Sequence, residues 1–208
     1  QPWLERLPQR AWFRARLEQF WSYERTGVPR VKAGRSFFTR NDGKQNQSVL
    51  YVIDAPGSAP RVLFDPNAAS RDATVALARF EPSPDGRTLA YSLSDGGTDW
   101  EIWKFKRVDD GRDLPDEIHY TKFFEVSWAP DGSGVFYSRY PARTDDPARG
   151  DDRGQPVVYF HRIGEPQTRD REIYRVRGSA TRTPSASVSE DGRWLFVTLA
   201  DGYETNGI

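Results

Sequence analysis

A hairpin pattern that occurs three times constrains the fold of this chain more than any other feature. The copies are FEPSPDGRTLAYSLSD (80–95), VSWAPDGSGVFYSRYP (126–141) and ASVSEDGRWLFVTLAD (186–201). Each copy joins two alternating apolar stretches through an Asp-Gly pair, in which glycine accepts the positive φ angle of a tight hairpin turn. One small sheet cannot bury its own apolar face, so repetition at about the length of one blade predicts sheets stacked as a β-propeller.

The amino-terminal residues 1–30 are predicted to form a separate helical segment. An amphipathic helix is expected over 10–25, where four apolar side chains share one stripe: Phe13, Leu17, Phe20 and Trp21. A stripe of this kind needs a surface on which to pack.

Residues 31–208 are predicted to form an incomplete propeller. The alternating stretches indicate blades at 35–66, 78–119 and 122–177, and a partial blade at 184–208. The fold class is therefore all-β, with one short amphipathic helix before the first blades. Propellers close with four to eight blades, so we expect these residues to be a piece of a longer protein.

Composition excludes several classes of partner and site. Thirty basic and thirty acidic residues give a formal net charge of zero, which offers no attraction to nucleic acid or to an anionic membrane. The sequence has no long apolar run that would span a membrane, and no signal peptide is visible. Without cysteine there is no disulfide, Cys-ligated zinc or Cys nucleophile. Because the basic residues are mostly Arg, we expect a bacterial source. The absence of cysteine does not decide the compartment, so both the cytoplasm and the periplasm remain open.

No catalytic residue, metal site or cofactor site is predicted within the chain. The G-x-S-x-G string of α/β-hydrolases does not occur. The two histidines, His119 and His161, have no motif partner nearby, and a single His in a strand more often packs or lies on the surface. The acidic pairs lack the ligand spacing of a calcium loop.

Five strings occur in an order that resembles a known family: VLYVIDAPGSAPRVLFDPN (49–67), ATVAL (73–77), LAYSLSDGGTDW (89–100), SWAPDGSGVFYSRYP (127–141) and VVYFHRIG (157–164). Together they resemble the amino-terminal part of the propeller of the prolyl oligopeptidases. The resemblance implies a monomeric serine peptidase that cleaves short proline-containing peptides after proline. It also implies a seven-bladed propeller and an α/β-hydrolase domain that carries the Ser, Asp and His of the triad beyond Ile208.

The resemblance also implies roles for particular residues. Phe123, in the Lys122-Phe123 pair, corresponds to a Phe that lines an apolar subsite at the distal end of the bound peptide, with Phe124 as the alternative one residue later. Asp99, in GTDW, corresponds to a loop that faces the peptidase domain. Its alternative role is that of a turn Asp bonded to its own backbone.

The resemblance further implies that the helix packs against the peptidase domain, and that the 141–155 loop lies near substrate entry. This loop is rich in Pro, Gly and charged residues, so we predict it to be mobile.

Two alternative functions remain open on the sequence alone. One is an oligopeptidase B-like enzyme of similar architecture, which would cleave after Arg or Lys. The other is a non-catalytic propeller that binds a protein or peptide partner, because Asp-Gly hairpins also occur in TolB-type scaffolds. The leading prediction is a propeller that filters substrates by size, since a short peptide can reach an enclosed triad and a folded protein cannot.

Overall fold

The structure, a computed structural model, describes residues 2–69, 74–144, 150–151, 153–179, 181–202 and 205–207. The helices are α1 (Pro2–Glu5), α2 (Arg10–Trp21) and α3 (Pro66–Ala69). The first sheet contains β1 (Arg25–Thr26), β2 (Arg30–Lys32), β3 (Arg35–Asn41), β4 (Val49–Ile53) and β5 (Arg61–Phe64). The second contains β6 (Val75–Pro82), β7 (Thr88–Asp95), β8 (Glu101–Arg107) and β9 (Asp113–Thr121). The third contains β10 (Ser127–Trp128), β11 (Gly134–Arg139), β12 (Val157–Arg162) and β13 (Arg171–Tyr174), and the fourth β14 (Arg182–Val188), β15 (Leu195–Asp201) and β16 (Thr205–Gly207).

Each sheet is antiparallel, and its strands follow one another in chain order. The first sheet differs at its edge, where β1 and β2 both pair with β3 and together serve as one edge strand. Strands that simply run up and down in sequence form separate small sheets, and each sheet needs a neighbour to cover its apolar face. This arrangement confirms the predicted all-β fold of stacked propeller blades.

Two apolar cores lie between consecutive sheets, and alternate residues of β7 belong to each. Leu89 and Tyr91 belong to the core between the first and second sheets, which also contains Phe37, Leu50, Val52, Leu63 and Val108. Ala90 belongs to the core between the second and third sheets, with Trp103, Phe105, Ile118, Val126, Trp128, Val135 and Tyr137. The period of two along a strand thus buries both faces of the middle sheet.

The three Asp-Gly turns are built alike. Gly86, Gly132 and Gly192 have φ angles of 66°, 70° and 71°. In the last copy, Asp191 Oδ1 accepts hydrogen bonds from the Ser189 hydroxyl (2.6 Å) and the Arg193 N–H (3.1 Å). These bonds lower the pKa of Asp191, because they stabilise its ionised carboxylate.

The observed bounds differ from the predicted ones near the amino terminus. Helix α2 ends at Trp21 rather than at 25, β1 lies inside the segment expected to be helical, and β2 begins at its last residue, Arg30. They are strands because they pair with β3, where Arg25 lies opposite Asn41 and Thr26 opposite Arg40. The first sheet therefore starts ahead of the predicted position 35.

The start of the third blade also differs. The third blade is predicted to begin at residue 122, whereas its first strand, β10, begins only at Ser127. Phe123 has a φ of 67°, outside the range of extended backbone, so the chain cannot run straight here. Among the described residues, no helix is long and apolar enough to cross a bilayer.

Candidate functional site

Several connections gather at one end of the sheets, which we call the loop face: 42–48, 94–100, 122–126 and the stem of 140–156. In an antiparallel sheet, every second connection lies at the same end. Contacts between the second and third sheets align these ends, since Lys122 Nζ lies 5.1 Å from the Trp100 ring centroid and 5.8 Å from that of Tyr140. At the opposite end, the Arg35 guanidinium donates to the Gly86 carbonyl at 3.0 Å, which aligns the first sheet with the second. The Asp-Gly turns lie at the opposite end.

Phe123 presents its ring to solvent on the loop face. The residue is 57% exposed, and its left-handed backbone is unfavourable for a side chain with a Cβ by about 1–2 kcal/mol. The neighbouring Phe124 is half-buried, with its ring 6.4 Å from that of Tyr140. Of the two candidates, Phe123 therefore has the more exposed ring.

Lys122 lies among three aromatic rings. Its Nζ atom is 5.0 Å from the Phe123 centroid, in addition to its contacts with Trp100 and Tyr140. Trp100 and Tyr140 also meet edge to face at 5.6 Å. Distances below about 6 Å allow an ammonium group to interact with the face of each ring.

Glu125 holds the other end of the same connection. Its carboxylate lies 3.6 Å from Arg30 of β2 and 3.9 Å from Arg79 of β6. Arg30 also pairs with Glu81, and Arg79 lies 3.2 Å from the buried Glu101. The segment that carries Phe123 is thus tied to β2 of the first sheet and to β6 of the second.

Asp99 is exposed in the β7–β8 loop. Within the part of the chain that the structure describes, its carboxylate accepts no hydrogen bond, so the alternative of a backbone-bonded turn Asp is not observed. Thr98 makes the polar contacts of this turn: its carbonyl accepts from the Ser94 hydroxyl (2.6 Å) and its hydroxyl accepts from Trp100 N–H (3.2 Å).

The stem of the 141–155 loop packs on Trp100. Ala142 and Gly150 form an antiparallel bridge, and Asp151 N–H donates to the Pro141 carbonyl at 2.7 Å. A Cβ placed on Gly150 would lie 2.4 Å from the Trp100 ring, so only glycine fits. The loop predicted to be mobile, 141–155, includes residues 145–149 and 152, which lie outside the described residues.

A groove of about 970 Å³ runs along helix α2. Every residue of this helix is exposed, including Phe13 at 58% and Trp21 at 68%. Gly43 of the 42–48 connection approaches Tyr23, because a Cβ on Gly43 would lie 2.5 Å from the Tyr23 nitrogen. The groove therefore lies at the loop face, and the apolar stripe has no cover from the described residues.

His161 has partners that sequence reasoning missed. It is fully buried, with Nδ1 2.8 Å from Asp170 and Nε2 3.3 Å from Asp116, and its ring stacks on Phe105 at 5.6 Å. Asp116 lies 45 residues away in another sheet, so no local motif could have indicated it. Both ring nitrogens of His161 face carboxylates, so the side chain is enclosed in the contact between the second and third sheets.

The network around His161 extends to both sides. Gly164 N–H donates to Asp116, whose other oxygen is buried with no hydrogen-bond partner among the described residues. The Tyr137 hydroxyl donates to Asp170 at 2.5 Å, and burial raises the pKa of Tyr137 far above its usual value. The network ties the second sheet to the third. Among the described residues no cluster of His, Asp and Glu could hold a metal ion.

Comparison with known proteins identifies the family. Residues 1–208 match the family described as "Prolyl oligopeptidase, N-terminal beta-propeller domain". The chain belongs to the prolyl oligopeptidase family. It is 34% identical over 207 residues to a prolyl endopeptidase from Elizabethkingia miricola, which covers 100% of the chain and 29% of that relative.

Solved structures of the family agree with this fold. One is from a study of two prolyl endopeptidases and inter-domain dynamics, at 37% identity and a TM-score of 0.79 over 98% of this chain and 28% of that one. Another is prolyl oligopeptidase B of Galerina marginata bound to a 25mer macrocyclization substrate, at 25% identity and 0.85 over 96% and 30%. The chain thus spans less than a third of the length of the relatives it matches.

Proposed function

We propose that this chain is the first part of the propeller of a prolyl oligopeptidase, a serine endopeptidase that cleaves short peptides after proline. The observation that carries the proposal is the family match over the whole chain, together with 207 aligned residues that make up only 29% of a prolyl endopeptidase. The catalytic Ser, Asp and His would belong to an α/β-hydrolase domain outside this sequence. The chain would then contribute access control and substrate contacts.

The loop face is the surface that would meet the hydrolase domain. The uncovered stripe of α2 supports this assignment, because large apolar side chains such as Trp21 and Phe13 are normally covered. Asp99 supports it as well, since its exposed carboxylate is available for a polar contact between domains.

Phe123 would line the distal apolar subsite for the peptide. An exposed aromatic ring on a left-handed backbone is unfavourable for folding, and such positions are often retained for binding. Short proline-containing peptides are the proposed substrates, and they would be admitted by size through the closed ring that the complete propeller would form. We propose a monomer in the cytoplasm or periplasm of a bacterium.

The alternatives are less well supported. Several curated relatives, from Elizabethkingia miricola, Omphalotus olearius and Galerina marginata, are named prolyl endopeptidase or prolyl oligopeptidase. These names do not favour an oligopeptidase B-like enzyme or a scaffold without activity.

Two chromogenic substrates test the proposal on the complete protein, one with Gly-Pro and one with Arg before the scissile bond. We expect hydrolysis of the Gly-Pro substrate alone, and no hydrolysis of either by residues 1–208. Preference for the Arg substrate would favour the oligopeptidase B-like alternative. If the complete protein hydrolysed neither substrate, the result would favour the non-catalytic scaffold.

A further inference from the structure

We infer that Lys122 is a positioning residue that fixes the orientation of the Phe123 ring through a cage of aromatic side chains. This inference rests on the proposed role of Phe123 as a substrate subsite. It adds a second specificity-determining residue, one that does not touch the peptide itself.

The cage joins three parts of the fold around one ammonium group. Trp100 comes from the β7–β8 loop of the second sheet, Tyr140 follows β11 of the third sheet, and Phe123 lies in the connection between the two. Lys122 Nζ lies 5.0–5.8 Å from the three ring centroids. Because the ammonium attracts each ring face, the Phe123 ring is held relative to both sheets rather than to its own segment alone.

The exposed position of the Phe123 ring makes such support necessary. Its side chain is mostly exposed, and its backbone is in the left-handed region. Glu125 anchors the segment on the carboxyl side through Arg30 and Arg79. Lys122 supplies the anchor on the amino side, so Phe123 is fixed from both directions.

The cage is itself fixed by the stem of the 141–155 loop. Trp100 packs so closely on Gly150 that no Cβ fits between them, and Tyr140 N–H donates to the Tyr120 carbonyl at 2.9 Å. The stem contacts Trp100, and Lys122 contacts both Trp100 and Phe123. The loop stem and the Phe123 ring therefore belong to one chain of contacts.

Kinetics on the complete enzyme test the inference with two substrates: a short Gly-Pro chromogenic substrate, and a longer one with an apolar residue at the distal position. In Lys122→Met, which keeps the aliphatic stem and removes the charge, we expect KM for the longer substrate to rise about three- to tenfold. We expect kcat and the KM of the short substrate to stay unchanged. Lys122→Arg should restore most of the affinity, because Arg also interacts with ring faces.

Lys32→Met provides a matched control, since Lys32 is an exposed lysine at the opposite end of the first sheet. It should change neither KM. In the double variant Lys122→Met, Phe123→Ala, the lysine change should add nothing to the effect of Phe123→Ala.

The outcomes distinguish the proposed Phe123 subsite from the positioning role of Lys122. If Phe123→Ala raises KM for the longer substrate and Lys122→Met does not, the positioning role is wrong and the proposed subsite stands. If Phe123→Ala affects both substrates equally, the subsite itself is wrong. If Lys122→Met raises KM equally for both substrates, or if its loss of activity is explained by a lower melting temperature, Lys122 has only a structural role. The inference is then overturned.

Discussion

The imidazole of His161 on β12 lies 3.3 Å from the carboxylate of Asp116 on β9, and both side chains are almost completely buried. This contact joins the second and third sheets at a point where each sheet supplies a polar group to an otherwise apolar interface. Polar groups buried in this way need their partners, because an unpaired one loses its hydration without compensation.

Asp116→Ala should destabilise the protein strongly. It removes the partner of the buried His161 Nε2, and an orphaned buried polar group costs about 1–3 kcal/mol. We expect the free energy of unfolding to fall by about 1–3 kcal/mol, measured by urea unfolding with tryptophan fluorescence. Glu117→Ala is the control: the next residue along is 40% exposed and pairs with Lys104, so its loss should cost under about 1 kcal/mol. Equal destabilisation by the two substitutions would contradict a stabilising role for the contact between His161 and Asp116.

Ala129→Ser should stabilise the third-sheet turn. In the other two turns a serine occupies this position, and Ser83 both donates to Asp85 (2.6 Å) and accepts from Thr88 N–H (2.9 Å). Ala129 N–H already donates to the Gly134 carbonyl, as Ser83 N–H does to that of Thr88, so the backbone is prepared for the hydroxyl. We expect a gain of about 0.5–1.5 kcal/mol in the same urea measurement. A loss of stability would mean that the three turns are not equivalent.

Gly150→Ala should displace the loop stem from Trp100. The added methyl would lie 2.4 Å from the indole, and overpacking of this kind costs about 1–3 kcal/mol. Near-ultraviolet circular dichroism and urea unfolding would detect the change. Adding Trp100→Ala should remove the clash, so the double variant should be less destabilised than the sum of the single changes. Simple additivity would show that the two residues do not press on each other.

Stability should fall in acid because the turn carboxylates ionise more readily in the folded protein. Hydrogen bonds from Ser133 lower the pKa of Asp131, and those from Ser189 and Arg193 lower that of Asp191, both from 3.8. A lowered folded-state pKa adds stability above the unfolded value, and that stability is lost as pH falls through the folded value. We expect the melting temperature to drop below about pH 4, and less steeply in Asp191→Asn. An identical slope in the variant would exclude this carboxylate as a contributor.

The sequence predicted the stacked blades because the information is local: an Asp-Gly turn and a period of two are sufficient to define each hairpin. It predicted β1 and β2 poorly, since Arg25 and Thr26 become a strand only by pairing with β3. The positive φ of Phe123 was also invisible, because two consecutive Phe residues are typical of a strand.

Only part of the candidate site could be predicted from the sequence. Phe123 and Asp99 could be selected by resemblance, because each lies in a short continuous motif. The partners of Lys122 could not be predicted, because Trp100 and Tyr140 approach it only after two sheets pack. The same holds for His161, whose two carboxylate partners converge from different sheets.

The most direct test of the account compares KM for a short and a longer peptide substrate in Phe123→Ala of the complete enzyme. Burial of a phenylalanine side chain contributes about 1.5–3 kcal/mol, so we expect KM for the longer substrate to rise at least about tenfold, while the short substrate is unaffected. Equal changes for both substrates, or none for either, would contradict the assignment of the loop face as the surface that receives the peptide.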